Sequence, residues 1–322
     1  MNPALLHLLA DGKFHSGNEL AEHLGVSRTT VWKQVQQLES RGLQLHSIRG
    51  RGYRVPGGIS LIDESRLREH LEAVEKALAI NHIQVDLETD STNLNAQRAL
   101  LSGVRPALFV AECQTGGRGR RGRPWISPLA ANLYFSLSWP FEDGVAGLEG
   151  LSLVVGLAIR NALASLGVEG VELKWPNDVL LNNRKLAGVL IEIGGDLSGD
   201  CTAVIGIGLN VLMPSSADSL VDQPWADLRA HLGGEIDRTQ LLAAILERLL
   251  HYLALFKESG FSGFVAEWQL ANALQDCDVR IIQGERSVEG ICLGVDGSGA
   301  LRLETSQGEL LFQGGEVSLR GA

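Results

Sequence analysis

The stretch QTGGRGRRGRPW, Gln114 to Trp125, decides the fold class, because it contains a literal G-x-G-x-x-G at Gly117, Gly119 and Gly122. In a doubly wound parallel sheet that run follows a strand and opens a helix whose N-terminus holds a pyrophosphate. A strand-like ALFVAEC does precede it here, but Arg123, Pro124, Trp125 and then another strand-like run, NLYFSLSW, follow. No helix opens at the glycines, so the dinucleotide reading fails, and a Walker A loop is excluded because no Gly-Lys-Ser/Thr follows. Arginine-glycine tracts that bind RNA are usually repetitive and disordered, whereas this is one short run between two apolar strands. Four arginines within six residues, 118 to 123, repel one another unless an anion joins them. Glycine N–H groups can form an anion nest and guanidinium forks grip phosphate oxygens in pairs. The stretch therefore reads as a mobile phosphate clasp that orders with its ligand.

Around it, strands and helices alternate: IQVDLE, a helix near NLNAQRALL, ALFVAEC, NLYFSLSW, a long helix around Leu148 to Leu166, and VELKW. Short strands VLLN, KLAGVLIEI and TAVIGIG follow, joined by NNR and GGDLSGD turns. Consecutive short strands with tight turns imply antiparallel pairing in a mixed sheet, hence α+β architecture. Within this region KWPNDVLLNNRKLAG, Lys174 to Gly188, combines Asn177 and Asp178 with Lys185 on a hairpin. A lysine placed there can stabilise charge on a carboxylate and a phosphoryl group together, and Asn177 or Asp178 can position a metal or an incoming amine. Alone, each is more often a solvated surface charge or a turn. Together with the clasp they suggest nucleotidyl transfer.

The first sixty residues are different in kind. Ser16 and Glu19 have capping-box spacing and Gly25 can end that helix; Ser27 then caps RTTVWKQVQQLESRG, ended by Gly42. Val31, Val35 and Leu38 form one buried face, leaving Arg28, Thr29, Thr30, Lys33, Gln34 and Gln37 on the other. Two helices joined by GVS are a helix-turn-helix, and LQLHSI and YRV flanking RGRG add a wing carrying Arg49, Arg51 and Arg54. The start of the second helix would contact bases, while Arg28, Lys33 and the wing arginines would hold phosphates. A small helical domain that docks another protein is the alternative reading. Charge favours DNA: residues 1–60 carry seven Lys or Arg against four acids, while the remainder carries 21 against 34. Pro56-Gly57-Gly58 reads as the linker out, followed by a helix from Asp63 to about Ala79.

Composition bounds the rest. With 322 residues, 45% hydrophobic and 20% charged, the chain has room for two or three cores. Its longest apolar run, LSLVVGLAI, falls short of the ~20 residues that span a bilayer, and the N-terminus lacks an export pattern, so the chain reads as cytoplasmic with no membrane partner. Cys113, Cys201, Cys277 and Cys292 are scattered and no H-x-x-x-H pair occurs, which disfavours disulfides or a zinc site. The leucine-rich TQLLAAILERLLHYLALFKESG reads as a core helix, and from Asp278 short strands with glycine turns suggest a small SH3-like barrel.

The chain resembles, along nearly its whole length, the bifunctional biotin–protein ligases of BirA type that also repress biotin synthesis. The motifs, in order, are DSTN (Asp90 to Asn93), GRGRRG (Gly117 to Gly122) with Trp125, ANLYFS (Ala131 to Ser136), KWPND (Lys174 to Asp178), RKLAG (Arg184 to Gly188) and IGIGLN (Ile205 to Asn210). The HSG…VSR…RG-GYRV pattern matches the repressor branch. The resemblance implies a multidomain α+β chain: a winged helix-turn-helix over 1–60, a central mixed-sheet ligase domain over 61–272 and an SH3-like barrel over 273–322. It implies biotin and ATP as substrates with Mg²⁺ carried mainly by ATP, biotinyl-5′-AMP as intermediate, and a carrier-domain lysine of acetyl-CoA carboxylase as acceptor. Ser91, Thr92, Asn93 and Gln114 would bind the biotin ureido group, with Gly188 and Gly206 allowing close approach. Arg118, Gly119, Arg120 and Arg121 would enclose carboxylate and phosphate, Trp125 would cover the adenylate, and Lys185 would bridge the reacting groups. Asn177, Asp178 and Asn210 are further candidates, and Arg320 would either assist from the tail or stand there as a surface charge. The adenylate would also promote a homodimer that binds operator DNA of biotin genes. Two alternatives stand beside this: a ligand-sensing repressor with decayed ligase activity, and a lipoate–protein ligase. Departures from the family pattern are Pro124, where a basic residue is common, and Thr29, Thr30 and Trp32.

Overall fold

A computed structural model describes residues 1–74, 80–142, 144–195, 201–283, 286–313 and 318–321. The chain forms two compact units: one of Met1–Leu137, Gly206–Gln223 and Asp227–Ala243, the other of Ser138–Ile205, Pro224–Ala226 and Ala244–Ala322.

The first unit begins with three helices, α1 (Pro3–Leu9), α2 (Gly17–Leu24) and α3 (Arg28–Ser40). The sequence pattern had not pointed to α1. It is only seven residues long, capped by Asn2 with proline at its first position, and it exists by burying Leu5, Leu6 and Leu9. The expected capping box is present: Ser16 Oγ accepts from Glu19 N at 3.1 Å and the Glu19 carboxylate accepts from Ser16 N at 3.3 Å. Gly25 ends α2 at φ 63°, and Ser27 caps α3. Val31, Val35 and Leu38 then pack on Leu5, Leu6, Leu9 and Leu20. The wing is the antiparallel pair β1 (His46–Ile48) and β2 (Gly52–Arg54). His15 joins it by exchanging two 2.9 Å main-chain bonds with Tyr53. Gly52, at φ 98°, is obligatory there, since any Cβ would overlap the His15 carbonyl.

The expected linker is a fixed turn. Gly57 and Gly58 adopt φ 79° and 71°, and Ile59 N donates back to Ala10 O at 3.1 Å. Helix α4 (Glu64–Val74) follows; the last residues of the helix expected to reach Ala79 lie outside the described residues. Strand β3 (His82–Asp86) pairs parallel to β4 (Ala107–Ala111) across α5 (Thr92–Leu101). This is the one-helix crossover that parallel strands require. Glu112, at the end of β4, is a junction. Its buried carboxylate accepts from Ile62 N at 2.6 Å and pairs with Arg238 at 2.5 Å. Arg238 also donates to Ser60 O and Asn132 O, each at 2.8 Å.

The remaining strands and helices are β5 (Leu133–Phe141), α6 (Leu151–Ser165), β6 (Val171–Lys174), β7 (Asp178–Leu181), β8 (Arg184–Gly195), β9 (Cys201–Leu209), α7 (Leu228–Leu232), α8 (Arg238–Ser259) and α9 (Val265–Ala271). Strand order in the central mixed sheet is β3-β4-β5-β9-β8-β7-β6, and β6, β7 and β8 are antiparallel hairpin neighbours as the tight turns implied. Helix α8 has the length and hydropathy of a membrane span, but Leu241, Leu242, Ile245, Leu246, Leu249 and Leu253 are buried in protein. It is a core helix, as expected. In the second unit the C-terminal strands β10 (Asp278–Gln283), β11 (Arg286–Val295), β12 (Leu301–Thr305), β13 (Gly308–Phe312) and β14 (Ser318–Gly321) form an antiparallel sheet ordered β13-β12-β11-β10-β14. Trp175 Nε1, at the end of β6, donates to Gly299 O at 3.0 Å and fastens that sheet to the hairpins.

Removing Arg238 would leave the Glu112 carboxylate buried without its cation. Arg238→Met is expected to destabilise the chain by about 3–5 kcal/mol in urea unfolding. The double variant Glu112→Gln/Arg238→Met should recover part of that loss.

Candidate functional site

On the first unit, the DSTN and clasp motifs are one structure. Thr89 N donates to Cys113 O (3.1 Å), Thr115 N to Thr89 O (2.9 Å) and Gly116 N to Asp90 O (2.8 Å), so residues 113–116 run beside 89–90. That ladder sets Gln114 against the start of α5, where its Oε1 accepts from Thr92 N at 2.9 Å. Ser136 Oγ lies 2.7 Å from Thr92 Oγ1 and 2.5 Å from Asn93 Oδ1. Ser91, Thr92 and Asn93 are buried. Asp90 accepts from Ser91 N at 2.7 Å and pairs with Arg98, whose hydrogen bonds hold the carboxyl down at about 2. Gly206 faces Asn93 so closely that a Cβ would overlap the Asn93 amide. Of the sequence-derived set, Thr92, Asn93 and Gln114 are joined by hydrogen bonds through Ser136, with Ser91 beside them at the start of α5 and Gly206 packed against Asn93.

The clasp is a tight hairpin. Trp125 N donates to Gly117 O at 2.9 Å and Gly119 N to Arg123 O at 2.7 Å. These bonds flank the Arg118–Pro124 pair, which is therefore a non-hydrogen-bonded pair. Pro124 needs no N–H at that position, and this explains how proline is accommodated. At the tip, Arg120 to Gly122 form a 3-10 turn with Arg121 at φ 58° and Gly122 at φ 70°. Arg118 and Arg121 are exposed and Arg120 is half-buried. The Trp125 indole lies on Gly208, where a Cβ would overlap the ring. Asn210 is buried at the end of the same segment, its carbonyl accepting from Leu228 N at 3.3 Å.

The second unit carries the KWPND–RKLAG cluster. Strands β7 and β8 pair Asp178 with Gly188 but Leu180 with Lys185, because a bulge at Val179/Leu180 shifts the register. Without that bulge Leu186 would oppose Leu180 and Lys185 would point to the other face. With it, Lys185 Nζ reaches Asp178 Oδ1 at 2.7 Å, both side chains largely buried. The Lys185 backbone is held on its far side as well, N to Pro224 O at 3.0 Å and Ala226 N to Lys185 O at 2.9 Å. Asn177 Nδ2 donates to Val189 O at 2.7 Å, so it anchors the hairpin through its side-chain amide.

On the N-terminal head, Arg28, Thr29, Lys33, Arg49 and Arg51 are exposed. Thr30 is half-buried, its hydroxyl 2.9 Å from Ser27 Oγ, and so belongs to the cap of α3. Ser136 and Gly208 were not read from the sequence. Their signal was present for Gly208, since Gly206 and Gly208 alternate on β9 and share a face; for Ser136 it was only its place at the end of the ANLYFS motif.

The fold and these clusters define a protein ligase of the biotin/lipoate type with a helix-turn-helix head. The model of the Biotin/lipoate A/B protein ligase family matches residues 86–210, an HTH domain model residues 4–54, and the Biotin protein ligase C terminal domain residues 278–320. The chain is 39% identical over 321 residues, 99% of its length and 97% of the relative's, to the bifunctional ligase/repressor BirA of Salmonella typhimurium. It is 31% identical, over 72% of its length and 98% of the relative's, to the biotin–[acetyl-CoA-carboxylase] ligase of Paracoccus denitrificans. Biotin protein ligase from Aquifex aeolicus in complex with biotin and ATP superposes with a TM-score of 0.65 at 31% identity, covering 75% of this chain and all of that one. The chain belongs to the BirA family of bifunctional ligase/repressors.

Gly206→Ala is expected to displace the Asn93 amide and to destabilise the chain by about 1–3 kcal/mol in urea unfolding, because the added methyl overpacks that contact. Because the Asp90 pKa lies below its ordinary 3.8, the Asp90–Arg98 contribution is present above about pH 4 and lost as pH falls through 2. A carboxyl carbon NMR titration should therefore place its midpoint near 2.

Proposed function

We propose that this chain is an ATP-dependent biotin–[biotin carboxyl carrier protein] ligase that acts through biotinyl-5′-AMP, and a repressor of biotin genes that uses the same adenylate as corepressor. The observation that carries the reading is the single ladder that ties the DSTN cluster to the arginine clasp, in a chain similar to ligase/repressors over 99% of its length. A fixed, buried array of hydroxyl and amide groups suits a flat polar ring such as a ureido group, and an arginine hairpin beside it suits an anion.

In the first step a biotin carboxylate oxygen attacks the α-phosphorus of ATP, which arrives with Mg²⁺, and pyrophosphate departs. Ser91, Thr92, Asn93, Gln114 and Gly206 orient the ureido end, while Arg118, Gly119, Arg120 and Arg121 enclose the carboxylate and phosphate. Lys185 stabilises the charge that grows on the reacting groups, held in register by Asp178, and Gly188, like Gly206, allows close approach of the ureido group. Trp125, with Asn177 and Asn210, holds the adenylate. Closing the clasp over a mixed anhydride would shield it from water. In the second step the acceptor lysine amine attacks the acyl carbon, loses a proton and expels AMP.

Three functional segments serve this cycle: 1–60 for DNA, 61–272 for ligation and 273–322, closing as an SH3-like barrel, for nucleotide and carrier engagement. Arg320, on β14, belongs to that tail. Biotinyl-5′-AMP promotes a homodimer by binding the dimer-competent state better, and the cycle runs in the cytoplasm. The test is to incubate the purified chain with biotin, Mg-ATP and a carrier domain, with lipoate as the competing acid. Carrier biotinylation and binding to DNA upstream of biotin genes are then measured. Biotinylation without DNA binding would leave a ligase alone; DNA binding without biotinylation would leave a sensor; preference for lipoate would replace the substrate.

Lys185→Ala is expected to slow pyrophosphate release by about 10²–10³-fold while the chain stays folded. Arg49→Ala/Arg51→Ala is expected to weaken DNA binding at all sequences and to flatten its dependence on salt.

A further inference from the structure

Phe14 stands at the base of the wing, in the segment between α1 and α2. His15 exchanges both main-chain bonds with Tyr53, so the next antiparallel pair along that register is Phe14 with Arg54. The consequence is visible in the side chains: the Arg54 guanidinium lies 4.8 Å from the Phe14 ring centroid and that of Arg51 lies 4.3 Å from it. One half-buried ring therefore gathers two guanidinium groups. Among the described residues neither arginine is ion-paired, and Arg54 Nε is buried with no acceptor. The nearby acids are committed elsewhere, Asp11 to His15 Nε2 at 2.9 Å and Glu19 to the Ser16 cap.

Two like charges on one ring repel, and the attraction of each to the π face offsets only part of that cost. An anion at the wing would offset that repulsion. The two arginines sit at the wing of a head whose exposed face is basic, and whose Gly52 admits no side chain. The occupant with the right chemistry is a DNA backbone phosphate.

We propose that Phe14 is a positioning residue for DNA binding, a cation–π platform that pre-sets the Arg51 and Arg54 side chains for the DNA backbone phosphates. This deepens the reading of the head as DNA-binding and rests on it. Phe14 touches no DNA itself; it acts by holding two long, mobile side chains in the bound geometry and so lowers the ordering cost of the contact.

The test uses the full chain with biotin and Mg-ATP, on DNA from upstream of biotin genes, with binding measured across a salt series. Phe14→Leu keeps an apolar side chain of similar size but removes the ring, and Phe14→Tyr restores it. The expected result is that Phe14→Leu binds about five- to tenfold more weakly and with a salt slope shallower by about one counterion. Phe14→Tyr should regain both, and Arg54→Ala should lose affinity as Phe14→Leu does. Thermal unfolding of each variant separates this from a damaged head, because misfolding would not spare the tyrosine variant and change the slope by a single contact. Wild-type affinity and slope in Phe14→Leu would overturn the platform while leaving DNA binding intact. Absence of DNA binding by the wild-type chain would remove both.

Discussion

One buried carboxylate organises the first unit. Glu112 is buried, and its side chain and main chain together bind three distant segments. Its side chain takes Ile62 N and the Arg238 guanidinium, and its main-chain carbonyl takes Ala130 N at 3.0 Å. Through Arg238 the same junction reaches Ser60 and Asn132, and Asn132 in turn caps the N–H groups of Val211 and Leu212. The exit from the head, both sides of the clasp and the start of α8 are thus held by one ion pair. Such a pair adds little net stability over an apolar replacement, but it tolerates only one arrangement of the segments that meet there.

The clasp grows directly from that junction. Its two ends, Cys113 on one side and Leu129 and Ala130 on the other, belong to the same hydrophobic cluster as the helices of the head. Arg41 reinforces the contact by pairing with Glu88, with bonds of 2.6 and 3.0 Å. Only the arginine-bearing tip projects from this anchored stem. A stem fixed at both ends and a tip rich in glycine and arginine suit the ligand-gripping role proposed for this loop, since the rigid part sets direction and the tip supplies charge.

Much of this architecture was legible before any coordinates. The capping box at Ser16 and Glu19, the Ser27 cap and the Val31, Val35, Leu38 face are local patterns, and each appears where it was read. The absence of a helix after Gly122 correctly excluded a dinucleotide fold. What escaped reading was what depends on contacts far apart in sequence. Helix α1 is too short to announce itself and survives by packing. Ser136 meets Thr92 and Asn93 across more than forty residues. Pro124 looked restrictive until the hairpin register put it at a position with no hydrogen bond to lose.

Residue order alone determined the element types, the helix ends, the basic head on an acidic body and the motifs that name the chemistry. These are local properties of backbone sterics, hydrophobic period and charge. Tertiary structure alone decided which face each motif presents. The bulge at Val179/Leu180 turns Lys185 toward Asp178, the closeness of β9 makes Gly206 and Gly208 necessary for Asn93 and Trp125, and strand register brings Phe14 beneath two arginines. A one-residue shift in pairing reverses the face of every side chain in a strand, and the register is set by partners that no local window of sequence contains.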